Sequence, residues 1–216
     1  MWIFLWFVAS AFILGVFGWS LFILGQQKRA WAAFAKKHNL SYVPGKLVEA
    51  PAIKGAIFGY KIAFFPDRQA TQDQRGQRFV TVLEFDLGVS GTTGAVIGAT
   101  DYATFISNLT FVDTLEIDFP GWDKTRIVRT RDPEALKSYL TQERLGVLHG
   151  LMSVKNCAAL YFIDDQGSVL HVETTDPIRD AERFEKMVQK ITSSLDKLKP
   201  TAEERAQIKA ASAPAP

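Results

Sequence analysis

Acid–base, nucleophilic or metal chemistry in this chain would have to be assembled from three histidines, one cysteine and an Asp-Asp pair. His38, His149 and His171 fall on three different predicted elements. None has a second His or Cys at ligand spacing, so no metal site is expected. His171 lies in the apolar run SVLHVET, where it is expected to face solvent or cap a polar pocket. His149, beside Leu148 and Leu151, reads as a semi-buried helical side chain. Cys157 stands alone, which excludes an internal disulfide and a cysteine-based zinc cage. At the start of CAALYFI it reads as core rather than as a reactive thiol. Asp164 and Asp165 precede Gln166-Gly167 in a predicted turn. Aspartates there bond their own backbone, and that role is preferred to general acid–base work. No G-x-S-x-G nucleophile elbow occurs, GVSG being the nearest approach. Arg126, Arg129 and Arg131 could meet an acidic partner, although a solvated sheet face explains them equally well.

Gly88, Gly91, Gly94 and Gly98 punctuate GVSGTTGAVIGATD and invite comparison with a phosphate loop. The dinucleotide fingerprint needs G-x-G-x-x-G between a strand and a helix, and the Walker loop needs Gly-Lys-Ser/Thr. Neither spacing is present, so the segment is expected to be an irregular connection, with a ligand-binding or gating loop as the lesser reading. No cofactor is implied.

The element that must position everything else is Trp2–Leu24, 23 consecutive residues without a charge. As a helix it reaches about 34 Å, enough to cross the hydrocarbon core of a bilayer. A soluble protein has little use for a helix apolar on every face. The run is too long for the core of a cleaved signal peptide, lacks a basic start and is followed by GQQKRAW, so an uncleaved anchor is expected. No Lys or Arg precedes it, whereas Lys28, Arg29, Lys36, Lys37 and Lys46 follow closely. The positive-inside rule then puts the N-terminus outside and the rest of the chain in the cytosol. Trp2 and Trp6 suit the outer interface and Trp31 the inner one. Lys28, Arg29, Lys36 and Lys37 are expected near the anionic leaflet. Ala11, Gly15, Gly18 and Gly25 share one helical face and could let a second helix approach, giving a homodimer; the commonness of Gly in membrane helices explains them as well.

All 25 Lys and Arg and all 23 Asp and Glu lie after Leu24, and the net charge is only +2. With no concentrated basic face beyond the Lys cluster, a nucleic-acid partner is not expected. The helix should continue through QQKRAWAAFAKKH, with Trp31, Phe34 and His38 at helical spacing, able to pack on the domain or graze the headgroups. Beyond Asn39 the composition turns to β. AIKGAIF and YKIAFFP flank a tight turn at Phe58-Gly59-Tyr60, Pro66 is expected to end that hairpin, and DRQATQDQRGQ to be an exposed loop. RFVTVLEFDLG alternates as a clear strand. TLEIDF and TRIVRT predict a hairpin around Pro120–Asp123, and CAALYFI and SVLHVET another. Asp132-Pro133-Glu134 reads as a helix start, Thr141 as a second, and Asp176-Pro177 as the start of a last helix with Ile178, Ala181, Phe184, Val188, Ile191 and Leu195 on one face. The matching Thr-x-Asp-Pro ends of two hairpins raise the alternative of a ββα duplication.

The segments WAAFAKKHNLSYVPGKL after an apolar helix, IKGAIFGYKI with Gly55, Gly59 and Tyr60, and DPEALKSYLTQER together resemble a recurrent type of uncharacterised bacterial single-pass membrane protein. The resemblance implies bacterial origin and a cytoplasmic-membrane location, and brings no activity or catalytic residue. The expected class is α+β: an anchor (1–25), a juxtamembrane helix (26–39), a cytosolic domain with an antiparallel sheet packed by helices (40–198) and a flexible Ala/Pro-rich tail (199–216). The expected function is a membrane-tethered, non-enzymatic interaction or scaffold role, with membrane lipids and an unidentified protein as partners. The alternative is a small-ligand or lipid-binding domain whose cavity lies between sheet and helices, gated by residues 88–98.

Overall fold

The computed structural model describes residues 2–70, 77–89, 91, 93–164, 167–204 and 206. Helix α1 (Trp2–Lys37) runs through 36 residues without interruption. Its apolar part is long enough to cross a membrane by length and composition, and none of that stretch is buried. The last third behaves differently: Gln27, Ala30, Trp31, Phe34 and Ala35 are buried. The helix stops where Asn39 takes φ 53° and the Leu40 amide returns to the Ala35 carbonyl at 2.9 Å, a left-handed C-terminal cap.

Nine strands follow: β1 (Ser41–Val43), β2 (Ala52–Ile57), β3 (Tyr60–Ala70), β4 (Gln77–Asp86), β5 (Ala95–Gly98), β6 (Asp113–Thr114), β7 (Ile127–Thr130), β8 (Cys157–Ile163) and β9 (Ser168–Thr174). They form one antiparallel sheet in the order β1-β2-β3-β4-β9-β8-β5-β7-β6. Helices α2 (Ala103–Ser107), α3 (Pro133–Tyr139), α4 (Gln142–Met152) and α5 (Ala181–Leu195) complete an α+β architecture. Alternation decides the faces. Leu83 and Phe85 of β4, Leu170 and Val172 of β9, and Ala159 and Tyr161 of β8 join the main core with the end of α1, α3, α4 and α5. Val96, Leu160, Tyr102, Ile106 and Phe111 make a smaller cluster on the opposite face, under α2.

Local signals work where they are local. The β2–β3 turn is Phe58-Gly59, both at positive φ, the two-residue geometry that matches strand twist. The Asp132 carboxylate accepts the Glu134 and Ala135 amides at 3.0 and 3.1 Å, and Thr141 caps α4 through the Arg144 amide.

Several expectations are corrected. Pro66 does not end its strand: it pairs with Thr81 inside β3, which continues to Ala70. The neighbouring strand's pairing stops at Ile53–Phe64, so Pro66 takes an edge position where no amide donor is needed. Asp67–Ala70 are therefore strand rather than loop; Thr71–Gly76 lie outside the described residues. Ala95–Gly98 is no irregular connection but a strand between β8 and β7, buried at all four positions. A strand buried on both faces carries no alternation, so the usual pattern is missing.

The TLEIDF hairpin shrinks to Asp113–Thr114 against β7. The Leu115 amide still reaches the Val128 carbonyl of β7 at 3.1 Å, and Leu115, Ile117 and Phe119 turn alternately inward against the core. The last helix begins at Ala181 under an Asp180 cap, four residues beyond Asp176-Pro177. The Thr-x-Asp echo is a local turn: Thr130 and Thr174 hydroxyls each accept the amide two residues on, at 3.1 Å.

Candidate functional site

The histidines are dispersed, and each is held by partners that the sequence did not pair with it. His38, at the end of α1, bonds Glu185 of α5 at 2.9 Å. His149 of α4 meets Arg126 at 3.0 Å, with the Arg126 guanidinium over the Trp122 ring. His171 lies on the second face of the sheet between two carboxylates, Nδ1 at 3.1 Å from Glu84 and Nε2 at 2.8 Å from Glu173. Gln69 also donates to Glu173. Burial alone would lower the His171 pKa, but the hydrogen bonds and charges of Glu173 and Glu84 outweigh it, and the net direction is up. With both ring nitrogens engaged, the cluster is a charge-paired network. Among the described residues, no group of three or more His, Cys, Asp or Glu is arranged to hold a metal ion.

Cys157 opens β8 half-buried, and burial pushes its thiol pKa up, away from thiolate chemistry. Asp164 sits in the β8–β9 turn, its amide on the Gly167 carbonyl at 2.8 Å and its carboxylate 3.5 Å from Arg131. Asp165 lies outside the described residues. The glycines are packing positions. A Cβ on Gly91 would fall 1.8 Å from Ile163, one on Gly94 2.9 Å from Phe111, and one on Gly98 2.7 Å from Leu160. Gly88 alone has open space, at φ +64°.

Two of the residues marked for the membrane, Lys28 and Arg29, lie where α1 meets the domain. Lys28 reaches the Lys46 carbonyl, and Tyr42 donates to the Lys28 carbonyl at 3.1 Å. Two open clefts flank the helix here. A polar one of about 700 Å³ is lined by Gln26, Arg29, Ala30 and Ala33 of α1, by Lys155 and Cys157, and by Asp176, Arg179, Asp180 and Arg183 before and within α5. A mainly apolar one of about 650 Å³ is lined by Leu24, Val48, Pro66, Phe79, Val80 and Pro177, together with Glu49, Asp67 and Arg68, whose guanidinium lies 5.0 Å over the Phe79 ring. Thr174 and Pro177 border both.

Other marked residues are placed elsewhere. Trp31, expected either at the inner interface or packed on the domain with Phe34 and His38, is fully buried, its ring 5.2 Å from that of Phe184. The α1 extension presents one face to α5, and an indole on that face gains more from the core than from headgroups. Lys36 and Lys37 lie about 18–20 Å beyond Leu24 along the helix, and Lys37 pairs with Glu185 at 3.1 Å. Trp2 and Trp6 are exposed. A Cβ on Gly15, Gly18 or Gly25 would meet nothing within 4 Å, and Ala11 is exposed.

The tail also departs from expectation at its start. Arg144, nearly fully buried, grips Glu204 in a bidentate pair at 2.7 Å and 2.7 Å and donates to the Tyr139 and Lys199 carbonyls. The pairing with Arg144 holds the Glu204 carboxyl down at about 2. A charge buried that deeply needs its counterion, so residues 199–204 are docked. Residues 207–216 lie outside the described residues.

The chain was compared with family models, with curated proteins and with solved structures, and nothing matches in any of the three. The class that fold and site define is thus an α+β domain continuous with a long apolar N-terminal helix.

Proposed function

We propose that this is a single-pass protein tethered to the cytoplasmic face of a bacterial membrane, with its N-terminus outside, acting there as a non-enzymatic interaction or scaffold protein. The observation that carries the reading is the continuity of α1. One helix is apolar over its first two dozen residues, exposed through Ser20, half-buried at Ile23 and Leu24, and buried in the domain core at Trp31, Phe34 and Ala35. A helix used in this way works as a strut, which holds the domain at a set height and orientation over a bilayer. The charges support the orientation, since Lys28, Arg29, Lys36, Lys37 and Lys46 follow the span closely. The three histidines are held in side-chain pairs, the thiol of Cys157 is half-buried and Asp164 is held in its turn, which favours interaction over catalysis.

In-cell cross-linking of the tagged full-length protein, read by mass spectrometry, tests the reading. A reproducible set of membrane or membrane-proximal partners is the expected result. A monodisperse monomer with no cross-linked partner would overturn it. The second reading, a lipid- or small-ligand-binding domain at the membrane surface, is favoured by one observation, the pair of clefts beside α1.

A further inference from the structure

We propose that the two clefts meeting at the Thr174–Pro177 turn form one site for an anionic glycerophospholipid, with its phosphodiester among Arg29, Arg179, Arg183 and Lys155 and an acyl chain against Leu24 and Phe79. This rests on the reading of α1 as a membrane-spanning helix.

The first argument is level. Gln26 and Arg29 lie about 3 and 8 Å beyond Leu24 along the helix. A headgroup layer is about 5–8 Å thick on each side of the hydrocarbon, so the polar cleft opens where lipid phosphates sit. The second argument is charge. Arg29, Lys155, Arg179 and Arg183 are exposed at the rim, and among the described residues none of them makes an ion pair or a side-chain hydrogen bond. Two carboxylates share the cleft with these four cations, which leaves the cationic side in excess, and both are held in place by neutral donors. Asp176 takes the Asn156 amide at 3.2 Å on both oxygens, and Asp180 accepts the Arg183 amide at 2.6 Å. The start of α5 is thus occupied by its own cap, and anion binding falls to the guanidinium groups, which match phosphate oxygens in pairs.

The third argument is the apolar neighbour. Phe79 and Val48 are 67% and 64% exposed, beside a groove that begins at a residue of the apolar helix itself. A free phosphate would use only the polar cleft and leave these side chains in water. An amphiphile from the adjoining leaflet covers both, which is why the lipid is favoured over a soluble phosphate ester.

The test uses the full-length protein, purified in mild detergent and mixed with equal amounts of phosphatidylglycerol and phosphatidylcholine of identical acyl chains, with bound lipid counted by native mass spectrometry. Phosphatidylglycerol should be retained in preference. The triple substitution Arg29→Gln, Arg179→Gln, Arg183→Gln should erase that preference by on the order of a hundredfold, at roughly fivefold per cation. Val48→Ser with Phe79→Ser should lower total lipid occupancy while keeping the headgroup preference. All five side chains are exposed, and an unchanged melting temperature verifies that the variants fold. Equal retention of the two lipids, or a triple variant that behaves as wild type, overturns the site. Displacement of the lipid by millimolar inorganic phosphate overturns the lipid in favour of a soluble anion. Alkaline extraction of native membranes separates the two levels: release of the protein overturns the tether, whereas a retained protein without headgroup preference overturns the lipid site alone.

Discussion

Trp31 shows how one side chain ties anchor to domain. It is buried completely, and its indole N–H has no hydrogen-bond partner among the described residues. Trp31→Ala should cost about 3–5 kcal/mol in denaturant unfolding. Trp31→Phe should cost far less, because it removes the unsatisfied donor along with part of the volume. Glu204 gives an acid-dependent counterpart. Its folded pKa, about 2, lies below the ordinary carboxylate value, so its stabilising contribution is present above about pH 4.5 and is lost as pH falls toward 2. Glu204→Gln should cost about 2 kcal/mol at neutral pH, since Arg144 keeps its two carbonyl acceptors, and should flatten the wild-type loss of stability between pH 5 and 3.

His171 has the opposite sign. Its folded pKa is raised, so its contribution is full below about pH 6.5 and disappears as pH rises through the folded value. Thermal unfolding from pH 6 to 9 should therefore show a steeper decline for wild type than for His171→Gln; parallel curves would remove His171 from the pH response.

At the scale of elements, α1 is the part with a mechanical consequence. Its docked end is held by the Phe34–Phe184 stack, centroids 4.4 Å apart, and by His38 and Lys37 on Glu185. Gly25 lies between that docked end and the apolar stretch, with open space around it. Gly25→Pro should break the helical ladder there without disturbing the core. The domain's melting temperature should hold, while distances between spin labels at Ser10 and Ser193, measured in bilayers by pulsed electron resonance, should broaden. A distribution as narrow as that of the unsubstituted helix would mean that α1 does not act as a strut.

At the scale of the molecule, the sheet covers its main face with α1, α3, α4 and α5 and leaves the junction clefts beside α1. Sidedness belongs to this scale. In a Cys157→Ser background, Ser193→Cys should resist an impermeant maleimide on intact cells and react fully after lysis. Labelling of intact cells would put the domain on the outer side.

What could be read in advance follows the range of the forces involved. The uncharged run Trp2–Leu24, the Asp132 and Thr141 caps, the Phe58-Gly59 turn and the alternation of β4 depend on residues within a few positions of one another, so the chain alone carried them. The α+β class followed from those local units. Partnership across the fold was not legible. The insertion of β5 between β8 and β7, the choice of Phe184 as the partner of Trp31, and the His171–Glu84 and Arg144–Glu204 pairs bring together residues dozens of positions apart. The clefts at the foot of α1 arise in the same way, from Arg29 on one helix and Arg179 and Arg183 at the start of another. Composition counts such charges; only tertiary packing decides which of them find a partner and which are left facing the place where the helix leaves the domain.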